Sequence, residues 1–234
     1  MQRNLGCWEP KVQRINLSQA DLEEGFMIKT IIFDIGNVLM RFDYGLYIKN
    51  LLKDDDLIEK VNEAIWAHGY WNELDLGHDP EEVFSKMFAA GPDYQKEIRL
   101  VLDNVGQCIG RAEYAASWIK DLKKEGYQIL FLSNYSEYIM KAGPEALDFR
   151  PLMDGGVFSC HVGMIKPDLR IFRKICDKYA LEPSECVFID DNKENIEAAK
   201  EFGLNTVHFK DYEQARAELE SLLEAVNGKG TVNG

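Results

Sequence analysis

Lys29-Thr30-Ile31-Ile32-Phe33-Asp34-Ile35-Gly36-Asn37-Val38 sets the frame in which the rest of the chain reads. Lys29 to Phe33 is a short apolar run rich in β-branched side chains, and it stops at an acid followed by the turn pair Gly36-Asn37. That combination predicts a buried strand ending in a loop. Three further runs share the pattern: Gln128 to Leu132, ending at Ser133-Asn134; Cys186 to Ile189, ending at Asp190-Asp191; and Asn205 to Phe209, following Gly203. Helical patterns lie between and beyond them, over Ala112 to Lys124, Leu169 to Tyr179, Asn192 to Phe202 and Tyr212 to Val226. Gly126, the Leu181-Glu182-Pro183 break and Gly203 supply helix stops. Apolar strands without alternation, separated by amphipathic helices, predict a parallel sheet covered on both faces. Ligands of such sheets bind beyond the carboxyl ends of the strands, where Asp34, Ser133-Asn134 and Asp190-Asp191 would converge.

From Asp43 to Gly110 the rhythm changes: helical patterns over Leu57 to Ala67, Glu81 to Ala89 and Asp93 to Val105, with no convincing strand. The expected architecture is therefore α/β, a Rossmann-like three-layer core with a small all-helical cap inserted after the first strand. Residues 27–42 and 111–234 form the core and 43–110 the cap, a natural lid for a site at the strand ends. Residues 1–26 are read as an extension without a long apolar stretch, neither signal peptide nor membrane anchor. Asp54-Asp55-Asp56 is read as a solvated helix start favoured by the helix dipole.

The chain has 234 residues, enough for one substantial core plus a small accessory domain. Its net charge of −13 is spread over its length, which argues against nucleic acid or an anionic membrane as a partner. Its five cysteines form no C-x-x-C pair, so reduced thiols in a cytoplasmic protein are expected. Cys160 and His161 lack partners at zinc-ligand spacing, and bystander cysteine is the better reading. Nothing in the sequence fixes the oligomeric state.

A carboxylate ending a buried strand is costly unless compensated, and magnesium is the usual partner of clustered oxygens near phosphate. Asp190-Asp191 adds two acids, and anions gathered this way repel one another and call for a cation. The plainer role for Asp191 is as a helix cap, which leaves Asp34 and Asp190 unexplained. Ser133-Asn134 offers a hydroxyl, an amide and turn N–H groups suited to phosphate oxygens. Lys166-Pro167 precedes a helix, with Pro167 suited to its first turn and Lys166 able to extend a cation toward the site.

In order, Phe33-Asp34-Ile-Gly36-Asn37-Val38, Leu132-Ser133-Asn134, Lys166-Pro167 and Phe188-Ile-Asp190-Asp191-Asn192 resemble the four motifs of the haloacid dehalogenase superfamily. The likeness runs from about Lys29 to Phe209 and includes Val157-Phe-Ser159, Gly163, Ile171-Phe172 and Asn195-Ile-Glu-Ala-Ala199. It implies a magnesium-dependent phosphatase acting on a small phosphorylated metabolite. Asp34 would be the nucleophile that becomes an aspartyl phosphate. Asp34, the Gly36 carbonyl and Asp190 would hold Mg2+, and Asp191 would bind it through water or orient Lys166. Ser133 and the turn amides would hold phosphoryl oxygens, with Lys166 offsetting charge.

One departure matters. Phosphatases of the superfamily mostly carry a second aspartate two residues after the nucleophile, as acid and base; this chain has Gly36. The first motif resembles that of bacterial sugar-phosphate phosphatases of the glucose-1-phosphate type, whose substrates have a relatively good leaving group. Asp43 is a possible substitute, against the plainer reading of a solvated loop acid. Alternatives are a dehalogenase, which the acid pair disfavours, a phosphonate hydrolase using a cap lysine (Lys49, Lys53, Lys60, Lys86 or Lys96), and a non-catalytic phosphate-binding or regulatory relative. Trp66, His68, Tyr70, Trp71 and Glu73 either line a sugar pocket or pack the cap helices. His68 and His78 are read as surface groups.

Overall fold

A computed structural model describes residues 27–227; the expectations for residues 1–26, including Cys7 and Trp8, lie outside the described residues. In chain order the elements begin with β1 (Thr30–Phe33) and β2 (Met40–Phe42). A helical stretch follows: α1 (Tyr44–Leu52), α2 (Asp55–Trp66), α3 (Tyr70–Asp75), α4 (Pro80–Ala90) and α5 (Gln95–Asp103). Next come β3 (Ile109–Arg111), α6 (Ala115–Lys124), β4 (Gln128–Ser133), α7 (Glu137–Ala142) and β5 (Gly155–Phe158). The chain closes with α8 (Leu169–Tyr179), β6 (Cys186–Asp190), α9 (Lys193–Phe202), β7 (Asn205–His208) and α10 (Tyr212–Asn227).

The main sheet has five parallel strands in the order β5-β4-β1-β6-β7. All four residues of β1 are buried because its strand is central and covered on both faces. Ile31 and Phe33 pack with Trp118, Ile119 and Leu122 of α6 and Leu219 of α10. Ile32 points the other way and packs with Phe172 and Ile175 of α8 and Ile196 of α9. The period-two alternation of strand side chains thus divides one apolar run between two helical layers. Each buried Ile or Phe contributes about 1.5–3 kcal/mol.

The helices start and stop by local chemistry. Asp54 caps α2 by accepting a hydrogen bond from Leu57 N at 2.9 Å, as a helix-start acid should. The Asn192 side chain caps α9, so Asp191 is released from that role. Gly203 ends α9 in the left-handed region at φ 106°. Asp168 caps α8, which leaves Pro167 before the cap rather than in the first turn where it was expected.

Two strands were not foreseen at the boundaries of the helical segment. β2 and β3 pair antiparallel, with Met40 opposite Arg111 and Phe42 opposite Ile109. The chain therefore leaves the sheet and returns to it along one two-stranded ribbon, with α1 to α5 between. The apolar side of those helices (Val61, Ile65, Val83, Met87, Ile98) joins the same buried cluster as the β1 face carrying Ile31 and Phe33. Helices α1, α3 and α7 and strand β5 were likewise unforeseen.

Candidate active site

The register of β1 against its neighbours brings the polar strand ends together. Phe33 stands opposite Ile189 on β6 and Phe131 on β4. The Asp34 N–H continues the ladder to the Ile189 carbonyl at 2.8 Å. Asp34 consequently emerges beside Asp190, although 155 intervening residues separate them. Asp34, Asp190 and Asp191 each offer an oxygen, and those oxygens lie within 4.8 Å of one another.

Lys166 reaches this cluster from the loop before α8. Its Nζ lies 2.8 Å from Asp34 Oδ1 and 2.6 Å from Asp190 Oδ2, and its side chain is 1% exposed. Burial alone would lower the Lys166 pKa, but Asp190 and Asp34 outweigh it and hold the ammonium above its ordinary range. The loop is fixed by Asn134: Lys166 N donates to Asn134 Oδ1 at 2.7 Å, and Asn134 Nδ2 donates to the Lys166 carbonyl at 2.9 Å. This differs from the expectation that the Asn134 amide faces phosphate, because both ends of that amide hold the lysine backbone. Asp190 is further held by Asn192 N at 2.8 Å and by Asn195 Nδ2 at 3.1 Å. Asn37 Nδ2 donates to Asp191 Oδ2 at 3.2 Å, and Asn37 Oδ1 accepts from Phe42 N at 3.2 Å.

Three acids face one lysine, and the imbalance shows in the titration of Asp34 and Asp191. Asp34 is raised from 3.8 to about 6, first by burial and further by Asp190, with Lys166 opposing. Asp191 is raised by burial and then by Asp190, with the Asn37 hydrogen bond opposing. Asp34 Oδ1, although in ion-pair range of Lys166, has no aligned hydrogen-bond donor among the described residues. Hard carboxylate oxygens gathered within 4.8 Å of one another, with surplus negative charge, fit a hard divalent cation such as Mg2+. Ser133 is close enough to Asp34 to lower its pKa slightly, yet its buried Oγ makes no aligned hydrogen bond among the described residues. A buried hydroxyl without a protein partner is suited to an incoming ligand oxygen.

Above the cluster opens a cavity of about 360 Å³, lined by Asp34, Gly36, Lys166 and Asp191 and walled by Met40, Phe42, Trp66, Trp71, Tyr135 and Ile139. Trp66 and Trp71 stack with ring centroids 4.4 Å apart, so they both pack the helices and face the cavity. Glu73 is elsewhere, between Lys86 and His78, and His78 thus has the carboxylate partner (3.3 Å) that its sequence spacing did not reveal. Lys49, Lys53, Lys60, Lys86 and Lys96 are all exposed, and Lys166 is the cavity's one lysine among the described residues. Asp43 caps α1, accepting from Leu46 N at 3.1 Å, and does not line the cavity. Cys160 is half-buried and His161 lies 3.8 Å from Glu137. Among the described residues the Asp34, Asp190 and Asp191 group is the one cluster with metal-ligand spacing.

Asp75 was missed in the sequence. It ends α3, is buried and lines the cavity, but it stands in an ordinary amphipathic pattern, Glu73-Leu74-Asp75-Leu76, that carries no signal of its own. Asn195 was noticed only as part of a family-like run. Its hydrogen bonds to Asp190 follow from its place in the first turn of α9.

Residues 28–203 match the haloacid dehalogenase-like hydrolases, and the chain belongs to that family. The D-ribitol-5-phosphate phosphatase of Bacteroides thetaiotaomicron is 26% identical over 223 residues, covering 85% of this chain and all of that enzyme. Bifunctional epoxide hydrolase 2 of Sus scrofa is 33% identical over 105 residues, 43% of this chain, and the match spans 19% of that protein's length. A family enzyme of Bacteroides thetaiotaomicron, solved in complex with magnesium and inorganic phosphate, superposes with a TM-score of 0.64 at 22% identity, covering 78% of this chain and 94% of that one. That last likeness concerns the fold.

Proposed function

We propose that the protein is a magnesium-dependent phosphatase that hydrolyses small phosphate monoesters through an aspartyl phosphate on Asp34. The observation that carries this reading is the contact of one buried ammonium, Lys166 Nζ, with both Asp34 and Asp190 at the carboxyl edge of the sheet. A dianionic ester repels a carboxylate nucleophile, so attack needs cationic groups aimed at the phosphoryl oxygens before the transition state. Magnesium, held by Asp34, Asp190, Asp191 and the Gly36 carbonyl, would supply charge neutralisation and polarisation of the phosphoryl group. Lys166 holds Asp34 in place and offsets charge shared by nucleophile and phosphate. Ser133 Oγ and the turn amides beside it receive phosphoryl oxygens, and Asn134 keeps Lys166 in position. Asp34 attacks phosphorus, the alcohol departs, and water then cleaves the acyl phosphate.

We assign residues 27–42 and 111–234 to the catalytic core and 43–110 to a cap that selects the alcohol. A sugar or sugar-alcohol phosphate is the leading substrate. The D-ribitol-5-phosphate phosphatase among its relatives supports this, as does the Trp66–Trp71 wall, whose aromatic faces suit the C–H faces of a sugar. A second reading, the phosphate of a planar or apolar alcohol, is favoured by Met40, Phe42 and Ile139 in the same wall. Among the described residues no helix is long and apolar enough to cross a membrane. We place the enzyme in the cytoplasm on its cysteine usage, since none of its five cysteines stands in a C-x-x-C pair.

The test is phosphate release from p-nitrophenyl phosphate and from a panel of sugar, polyol and apolar alcohol phosphates, with and without Mg2+. Turnover is expected only with the ion, and Asp34→Asn is expected to abolish it on every substrate. Retained turnover in that variant places the nucleophile elsewhere. If no ester turns over yet a phosphate compound raises the melting temperature, the protein is a binding module.

A further inference from the structure

The strand that carries the nucleophile brings no proton donor, because Gly36 stands where a second acid would be. Departure of an alkoxide without a proton is slow, so a donor must come from another element. The cavity has three acids among its lining residues: Asp34 and Asp191, which belong to the carboxylate cluster, and Asp75, which does not.

Asp75 is placed by the core rather than by its own helix alone. Its carbonyl accepts a hydrogen bond from Ser159 Oγ at 2.6 Å, and Ser159, fully buried, sits in the turn after β5. The same Oγ accepts from Tyr135 N at 2.9 Å in the loop after β4. The end of α3 is thereby tied to two sheet-edge loops, and Asp75 is held in the wall of the cavity. Its own exposure is 8%, and no hydrogen bond contributes to the titration of its carboxyl, which burial, Asp34 and Lys166 set. The titratable groups around it are Asp34 and Lys166 from the core, Tyr135 after β4 and Cys160 after β5. Burial raises both Tyr135 and Cys160, keeping them uncharged at neutral pH, and Lys166 is already shared between Asp34 and Asp190.

We propose that Asp75 is the general acid and base of this enzyme, delivered from the helical segment to supply what Gly36 leaves out. The inference rests on the phosphatase reading above. Burial, reinforced by the charge of Asp34, lifts its carboxyl from 3.8 to about 7, so both protonation states are populated at neutral pH, as a proton shuttle requires. In the first step an oxygen of Asp34 bonds to phosphorus, the ester P–O bond breaks, and Asp75 gives its proton to the departing oxygen. Free alcohol leaves and Asp75 remains as carboxylate. In the second step that carboxylate takes a proton from water while the water oxygen bonds to phosphorus. The bond from phosphorus to Asp34 breaks, inorganic phosphate is released, and Asp75 is again protonated.

The experiment compares p-nitrophenyl phosphate, whose leaving group needs no proton, with an alkyl phosphate, whose leaving group does. Asp75→Asn is expected to lower kcat/KM about 10²- to 10⁴-fold for the alkyl ester and much less for the aryl ester. In the wild type, kcat/KM for the alkyl ester should fall above about pH 7 while that for the aryl ester does not, and Asp75→Asn should remove that fall. A Cβ at Gly36 meets nothing within 4 Å, so adding Gly36→Asp to Asp75→Asn should restore at least tenfold of the loss, which no repair of packing would do. Equal losses on both esters, or no loss on the alkyl ester while Asp34→Asn stays inactive, overturn the inference and leave the phosphatase reading intact. If Asp75→Asn folds poorly, the wild-type profiles decide: identical shapes for the two esters overturn the proposal. A wild type that hydrolyses neither ester overturns the phosphatase reading, and this inference with it.

Discussion

Removing divalent ions should make this protein less stable at neutral pH than in mild acid. Two buried carboxyls control the window: Asp34, raised to about 6, and Asp75, raised to about 7, each from an ordinary value of 3.8. An acid whose folded pKa exceeds its unfolded one binds more protons in the native state, so stability falls as pH rises between the two values. Acids held low by partners, such as Asp154 and Asp168, act in the opposite sense but have finished titrating by about pH 5. Treated independently, Asp34 and Asp75 together cost about 4 kcal/mol between pH 5 and 7.5, roughly a third of it from Asp34. For a chain of this size that is a drop in Tm of about 8–15 °C. Thermal melts in EDTA across that range measure it. Saturating Mg2+ should recover most of the loss at pH 7.5, since an ion that binds only the native state stabilises it by mass action. Asp34→Asn should flatten the profile by at least its own third, since it also removes the charge that reinforces the rise of Asp75. A melting temperature that stays level or climbs from pH 5 to 7.5 without the ion would refute the premise that these acids are buried against uncompensated charge.

Lys166→Met should abolish turnover and cost about 3–5 kcal/mol in urea melts at neutral pH, because it leaves Asp34 and Asp190 without their counter-charge. A loss below about 1 kcal/mol would mean the lysine is not integral to the buried cluster. Asn134→Ala removes both hydrogen bonds that hold the Lys166 backbone. It should lower kcat at least tenfold with an average stability cost of about 1–3 kcal/mol. An unchanged kcat would show that the lysine holds its position without the clamp.

The central strands and their order of chemistry were legible because the local signal agreed with the tertiary environment. β1, β4 and β6 lie inside the sheet, so their residues are apolar without alternation, and each ends where polar side chains begin. β5 hid because Gly155-Gly156 reads as a turn. Gly156 is needed there because a Cβ would come within 2.4 Å of the Phe131 ring, a contact created only by the neighbouring strand. β2 and β3 hid because each has three residues and exists through its pairing with the other, 69 residues away at the Arg41–Gly110 pair.

The same division holds within the site. The convergence of Asp34, Ser133, Lys166, Asp190 and Asp191 was readable because each follows or flanks a strongly patterned element whose end can be located from the sequence. The backbone-clamping role of Asn134, the anchoring of Asp190 by Asn195, and the presence of Asp75 were settled by tertiary packing alone. An acid on an amphipathic helix looks the same in sequence whether it faces water or a cavity. Which one it faces depends on how α3 is tied across to Ser159 and Tyr135, and such long-range contacts leave no mark in the local order of residues.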